Sequence, residues 1–147
     1  MLDERIYESY IGILKEEMVP AMGCTEPIAL AYGAARAREV LGKEPEHITA
    51  KCSGNIIKNV RCVIIPNSGG LTGIEAGVVL GAVAGNASLN MEVLSNVNEF
   101  ERKRCRELLD KKICKVELLD SPVVLHFIIE MQAGDDTVSR SEEHTSE

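Results

Sequence analysis

The sequence predicts an α+β fold in which helices pack on a small mixed sheet around one buried, glycine-faced helix. Segments with helical periodicity and segments of strict alternation follow one another along the chain, which is the first observation behind that reading. The second is that Gly73, Gly77, Gly81 and Gly85 fall at every fourth position of one apolar run, so they share a helix face. The third is size: 147 residues with 45% hydrophobic content can bury one ordinary core, so one domain is expected. With no Trp, three Tyr and two Phe, that core must be built from aliphatic and small side chains.

In chain order, Asp3 caps a first helix in which Ile6, Tyr10, Ile13, Leu14 and Met18 recur at helical spacing, and Pro20 stops it. A short loop then delivers Cys24 to a second helix. Thr25 suits the N-cap, Glu26 and Pro27 suit the first turn, and Ala29, Gly33 and Ala37 let a neighbour come close. Gly42 ends this helix, with Pro45 beyond the stop. Ile48, Ala50 and Cys52 alternate with polar residues as a half-buried strand. Ser53 to Asn59 reads as a polar turn and Val60 to Ile65 as a short apolar strand, with Cys52 and Cys62 as packing residues.

Pro66-Asn67-Ser68-Gly69-Gly70 breaks that strand, and Thr72 caps a third helix that Gly85-Asn86 closes. Each interior glycine costs a helix about 1 kcal/mol relative to alanine, so the four-residue stripe implies that another backbone packs against it. An amphipathic helix from Asn96 to Lys111 follows, with Val97, Phe100, Arg104, Cys105 and Leu108 along one side. Strand alternation returns at Cys114 to Leu118 and at Val123 to Met131, where His126 falls on the mixed face. Ala133-Gly134-Asp135-Asp136 makes a hairpin turn into a strand that starts at Thr137.

Composition excludes several functions. A formal charge of −7 leaves no basic stripe to replace the counterions around phosphates, so no nucleic-acid partner is expected. The run Arg102, Lys103, Arg104, Arg106 lies among Glu99, Glu101 and Glu107 and reads as a solvated face with local ion pairs. Five cysteines, an odd number with no CxxC pair, point to a reducing cytoplasm rather than a disulfide framework, and zinc-site spacing is absent. The longest apolar stretch, Ile74 to Ala84, contains Glu75 and is too short to span a bilayer.

The residues with chemical potential cluster in three places. Cys24 stands at a helix entrance, where unpaired N–H groups and the positive end of the macrodipole favour a thiolate, making it a candidate base or nucleophile. The same residues also suit a tight turn whose small thiol packs inward. Ser53, Gly54, Asn55, Lys58 and Asn59, together with Asn67, Ser68, Gly69 and Gly70, offer donors for a substrate carboxylate, with Thr25 beside them. Glu26 suits two roles: orienting the thiol or a substrate ammonium, or serving only as a first-turn acid that complements the dipole.

The segments GCTEPIALA at 23–31, SGNIIKNV at 53–60, IPNSGGLTGIEAG at 65–77 and the late HFIIEMQAGDD resemble the L-cysteine desulfidase family, which is related to the α-subunit of iron–sulfur L-serine dehydratase. The resemblance runs from about residue 5 to 139. It implies β-elimination from L-cysteine or L-serine to pyruvate, ammonia and sulfide or water. It also implies a 4Fe–4S cluster whose ligands lie in a missing C-terminal part of the same polypeptide, and no metal ligand is assigned in this chain. The resemblance gives the base or thiol role to Cys24 and makes the chain alone inactive. Two other classes stay open: a cluster-free thiol enzyme, for which His47 and His126 are the histidines at hand, and a non-catalytic carboxylate-binding module. The partners expected are thus a small amino acid and the rest of the polypeptide, and a homo-oligomer is compatible with both.

Residues 140–147, RSEEHTSE, resemble the in-frame translation of a common sequencing adapter. The natural sequence is therefore expected to stop near Ser139, leaving residues 1–139 as an incomplete domain truncated at its C-terminus.

Overall fold

The structure is a computed structural model that describes residues 25–120 and 125–144. The expected first helix, Asp3 to Met18, lies outside the described residues. Within them the fold is α+β: helices α1 (Thr25–Leu41), α2 (Gly54–Val60), α3 (Ile74–Ala84) and α4 (Glu99–Asp110), and strands β1 (His47–Cys52), β2 (Cys114–Leu118), β3 (Leu125–Ala133) and β4 (Asp136–His144). The four strands form one mixed sheet in the order β2-β1-β3-β4, with β1 parallel to β2 and antiparallel to β3, and β3 antiparallel to β4.

Register sorts the two faces of the sheet. Ile48, Ala50 and Cys52 pair with Met131, Ile129 and Phe127, and all six are buried beneath the helices. The other face carries Thr49, Lys51 and Glu130, where Lys51 Nζ lies 3.2 Å from Glu130 Oε2 across the strands. Helix α1 covers β3 and β4, α3 packs along α1 and reaches β2, and α4 closes the far side of α3.

The two glycine positions that decide the layering lie on different helices. A Cβ on Gly33 would stand 2.8 Å from Phe127 Cε1, so the glycine lets α1 sit down on the sheet. On the adjoining face of α1, the stripe of α3 meets residues four apart. A Cβ on Gly77 would stand 3.7 Å from the Pro27 carbonyl oxygen, one on Gly81 would come within 2.7 Å of Ala31 Cα, and one on Gly85 within 2.9 Å of Ala35 Cβ. The stripe is therefore a backbone-to-backbone contact, as its spacing implied. Ile74 and every residue from Ala76 to Ala82 are buried.

Several boundaries depart from the sequence expectations. Ser53 to Asn59 is not a polar turn: Gly54–Val60 is helical, with Ile56 and Val60 buried one turn apart beneath the polar residues. Val60 to Ile65 is not a strand. It leads instead into a closed loop in which Ile65 N donates to Leu71 O at 2.8 Å and Gly73 N to Val63 O at 3.2 Å, with Pro66 to Gly70 at its tip. Gly73, at φ 97°, rather than Thr72 precedes α3. The hairpin at Gly134 (φ 62°) forms as expected, but β4 continues through residues 140–144 instead of breaking off; Arg140 pairs with Ile129 and Glu142 with Phe127. Among the described residues, no helix is long and apolar enough to cross a membrane.

Helix α4 begins on a capping box. Asn98 Oδ1 accepts from Glu101 N at 2.8 Å, and Asn98 N donates to Glu101 Oε1 at 3.0 Å. Cys105 and Leu108 are buried, whereas Phe100 is 78% exposed because it lies about 140° around the helix from Cys105. The Asn98→Ala variant should lose about 1 kcal/mol of stability through the uncapped N–H groups. A urea midpoint that does not move would show that the box carries no stability.

Candidate functional site

The three segments singled out by sequence meet at the start of α1. Cys24 itself lies outside the described residues, and Thr25 is the first residue of the helix rather than its cap. Glu26 in the first turn accepts a hydrogen bond through Oε2 from Asn59 Nδ2 at 3.2 Å, which ties the helix entrance to the end of α2. Ile28, two residues on, lines an open cavity of about 430 Å³ together with Pro66, Asn67 and Leu94. The first turn of α1 is thus flanked by Asn59 on one side and by the start of the Pro66–Gly70 loop on the other.

Not every expected donor reaches this place. Ser53 is buried at the start of α2, where its N–H donates to His126 O at 2.9 Å. Gly54 lies beside Leu118, with Leu118 Cδ1 3.9 Å from where its Cβ would stand. About 8 Å of helix separates it from Asn59. Asn55 and Lys58 are exposed. In the loop, Ser68 is buried and its Oγ accepts from Leu71 N at 2.9 Å. Gly69 and Gly70 are exposed with φ of 80° and 96°, conformations that favour glycine.

Asn67 is committed to holding the loop. Its Nδ2 donates to Leu94 O at 2.9 Å, while Arg102 of α4 donates from Nε to Asn67 O at 3.0 Å and from Nη2 to Asn67 Oδ1 at 2.9 Å. With Asn67 at φ 59°, this clamp fixes the loop's left-handed start. Arg102 is the residue that sequence reasoning missed. It sits in a basic run that resembles a solvated face, and no local pattern signals that its partner is 35 residues away.

Three of the described cysteines are held protonated. Burial pushes Cys52, Cys105 and Cys114 up to about 12, with Glu75 adding to the rise at Cys52 and Cys114. They are neutral thiols, whereas Cys62, expected to pack, is exposed. Among the described residues, no three His, Cys, Asp or Glu side chains gather as a metal site. Because the unfolded thiols ionise near 9 and the folded ones near 12, the unfolded state releases protons first as pH rises. Stability should therefore be whole below about 9 and fall between 9 and 12. Urea midpoints measured across that range test this, and a flat profile would contradict the burial of these thiols.

No protein-family model matches the chain. Curated relatives do: a UPF0597 protein of Treponema denticola is 47% identical over 136 residues, covering 92% of this chain and 32% of the relative. One of Desulfitobacterium hafniense is 47% identical over 128 residues, covering 87% of this chain and 30% of the relative. One of Vibrio campbellii is 37% identical over 134 residues, covering 90% and 31%. The chain spans about a third of the length of the curated relatives it matches.

Proposed function

We propose that this chain is the N-terminal part of a cytoplasmic lyase that eliminates the β-substituent of L-cysteine or L-serine, leaving pyruvate and ammonia with sulfide or water. The observation that carries the reading is the Glu26–Asn59 hydrogen bond, which joins the GCTEP and SGNIIKN segments at one helix entrance. In this reading Cys24 takes the α-proton, the electron pair left at Cα forms the Cα–Cβ double bond, and the C–S bond breaks as sulfide leaves. The resulting aminoacrylate hydrolyses to pyruvate and ammonia. Glu26, held by Asn59, faces the substrate ammonium. The exposed backbone of Gly69 and Gly70 and the charge of Lys58 serve its carboxylate.

The 4Fe–4S cluster implied by the resemblance does not fit the described cysteines. Among the described residues, no three His, Cys, Asp or Glu side chains gather closely enough to hold it. Its ligands would come from elsewhere in a full-length polypeptide.

Anaerobic purification of the full-length Treponema relative tests the proposal. Expected are sulfide and pyruvate from L-cysteine in equal amounts, iron in the protein, and no turnover by the 147-residue chain. Absence of both products from L-cysteine and of pyruvate from L-serine, in an iron-loaded protein, would overturn it. Turnover by an iron-free preparation would favour a thiol enzyme instead.

A further inference from the structure

Hydrogen bonds between Leu71 and both Ile65 and Ser68 close the base of the Pro66–Gly70 loop. Its course above that base is more demanding. Asn67, Gly69 and Gly70 have φ of 59°, 80° and 96°, and the two glycines would fit many other conformations. What fixes this course comes from α4. Arg102 donates from Nε to Asn67 O at 3.0 Å and from Nη2 to Asn67 Oδ1 at 2.9 Å, so one planar guanidinium grips the backbone and the side chain of a single residue. Because a guanidinium only donates, the grip also orients the amide: Oδ1 faces Arg102, which leaves Nδ2 to donate to Leu94 O at 2.9 Å and to Ser95 O at 3.4 Å. Asn67, Leu94 and Ser95 line the cavity of about 430 Å³ that Ile28 of α1 also borders, so the same bonds shape that cavity. The Arg102 stem lies against Gly69, where an added Cβ would stand 3.5 Å from Cδ. Nη1 goes to Glu99 Oε1 at 3.0 Å, and only 20% of the side chain is exposed. All three guanidinium nitrogens are thus committed to the protein.

We infer that Arg102 is a positioning residue for amino-acid binding, acting through Asn67 on the loop that receives the substrate carboxylate. The inference rests on the proposed function, in which the exposed backbone of Gly69 and Gly70 serves that carboxylate. Backbone donors bind tightly only when they are already in place. Without the grip on Asn67, the two glycines next along the chain must be ordered as the substrate binds, and affinity falls by the cost of that ordering. Proton transfer at the entrance of α1 is left alone once the substrate is bound. Loss of Arg102 therefore belongs in KM, whereas loss of the base belongs in kcat. Lysine is no substitute, because a single ammonium cannot reproduce the planar fork that spans Asn67 O and Oδ1.

Two measurements on the iron-loaded full-length protein test this: steady-state turnover of L-cysteine, and calorimetric binding of L-alanine, which carries the carboxylate and ammonium but no leaving group. Arg102→Met should raise KM for L-cysteine and weaken L-alanine binding, each by about tenfold or more, with kcat within about twofold of the parent. Arg102→Lys should show the same pattern, and it carries the test alone if the methionine variant does not fold. In an Asn67→Gly background, which keeps the left-handed backbone but removes Oδ1, Arg102→Met should cost clearly less affinity than in the parent. Unchanged KM and L-alanine affinity, a fall in kcat at constant KM, full recovery by lysine, or equal costs in the two backgrounds would each overturn the inference. The lyase reading fails separately. A parent that yields no product yet binds L-alanine, with that binding weakened by Arg102→Met, would remove the reaction and leave the positioning role standing. A parent that neither turns over L-cysteine nor binds L-alanine would overturn both.

Discussion

Gly81→Ala is expected to strip most of the stability from this domain, although the substitution adds a single methyl group. Alanine is the better helix former by about 1 kcal/mol, so propensity alone predicts a gain. Packing reverses the sign. The added Cβ would lie 2.7 Å from Ala31 Cα and 2.8 Å from Ala31 C. These are backbone atoms that cannot rotate away, so α3 and α1 must separate along their whole contact, loosening Gly77 against Pro27 and Gly85 against Ala35. Overpacking of this kind costs about 1 to 3 kcal/mol and sometimes more, and a rigid backbone neighbour puts Gly81 at the upper end. Against a total of about 5 to 15 kcal/mol, that is a large share. Gly77→Ala is the control. Its nearest neighbour is Ile65 Cδ1 at 3.3 Å, the mobile end of a side chain, so the net change should stay within about 1 kcal/mol. Urea unfolding of both variants tests the contrast. Similar midpoints for the two would show that the helices do not meet as closely as the geometry requires.

Cys24→Ser in the full-length protein is expected to reduce sulfide release from L-cysteine by orders of magnitude while substrate binding survives. Serine keeps the size of the side chain, so the helix entrance and the Glu26–Asn59 contact should persist. What changes is acidity. A helix N-terminus favours a thiolate, whereas a serine hydroxyl stays protonated, so the serine variant lacks the base that the proposal assigns. The loss should therefore fall on kcat and leave KM nearly unchanged. Anaerobic sulfide assays on parent and variant with equal iron content decide the matter. Near-normal turnover by the serine variant would remove Cys24 from the mechanism.

Much of the fold was legible because its signals are local. The alternation at Ile48 to Cys52, the Gly42 stop and the Gly134 hairpin each depend on a few adjacent residues, and the structure forms all three. Helix α2 was hidden because its apolar period is only Ile56 and Val60 within seven residues, too short to stand out against Asn55, Lys58 and Asn59. Phe100 is exposed although hydrophobic, because Cys105 and Leu108 form the buried face of α4 and Phe100 lies about 140° around the helix from Cys105.

By itself the sequence determined the α+β class and the close helix contact, since a four-residue glycine repeat has few other uses in a helix that it weakens. Tertiary structure alone decided how the site segments are arranged. Asn59 reaches Glu26, Ser53 is sunk beside β3, and Asn67 is given over to Arg102. Those outcomes follow from which elements lie side by side. A donor's chemistry is written in its residue type, but whether it faces a ligand or a neighbouring backbone is set by contacts between residues 33 to 73 positions apart, where loop closure leaves no local trace.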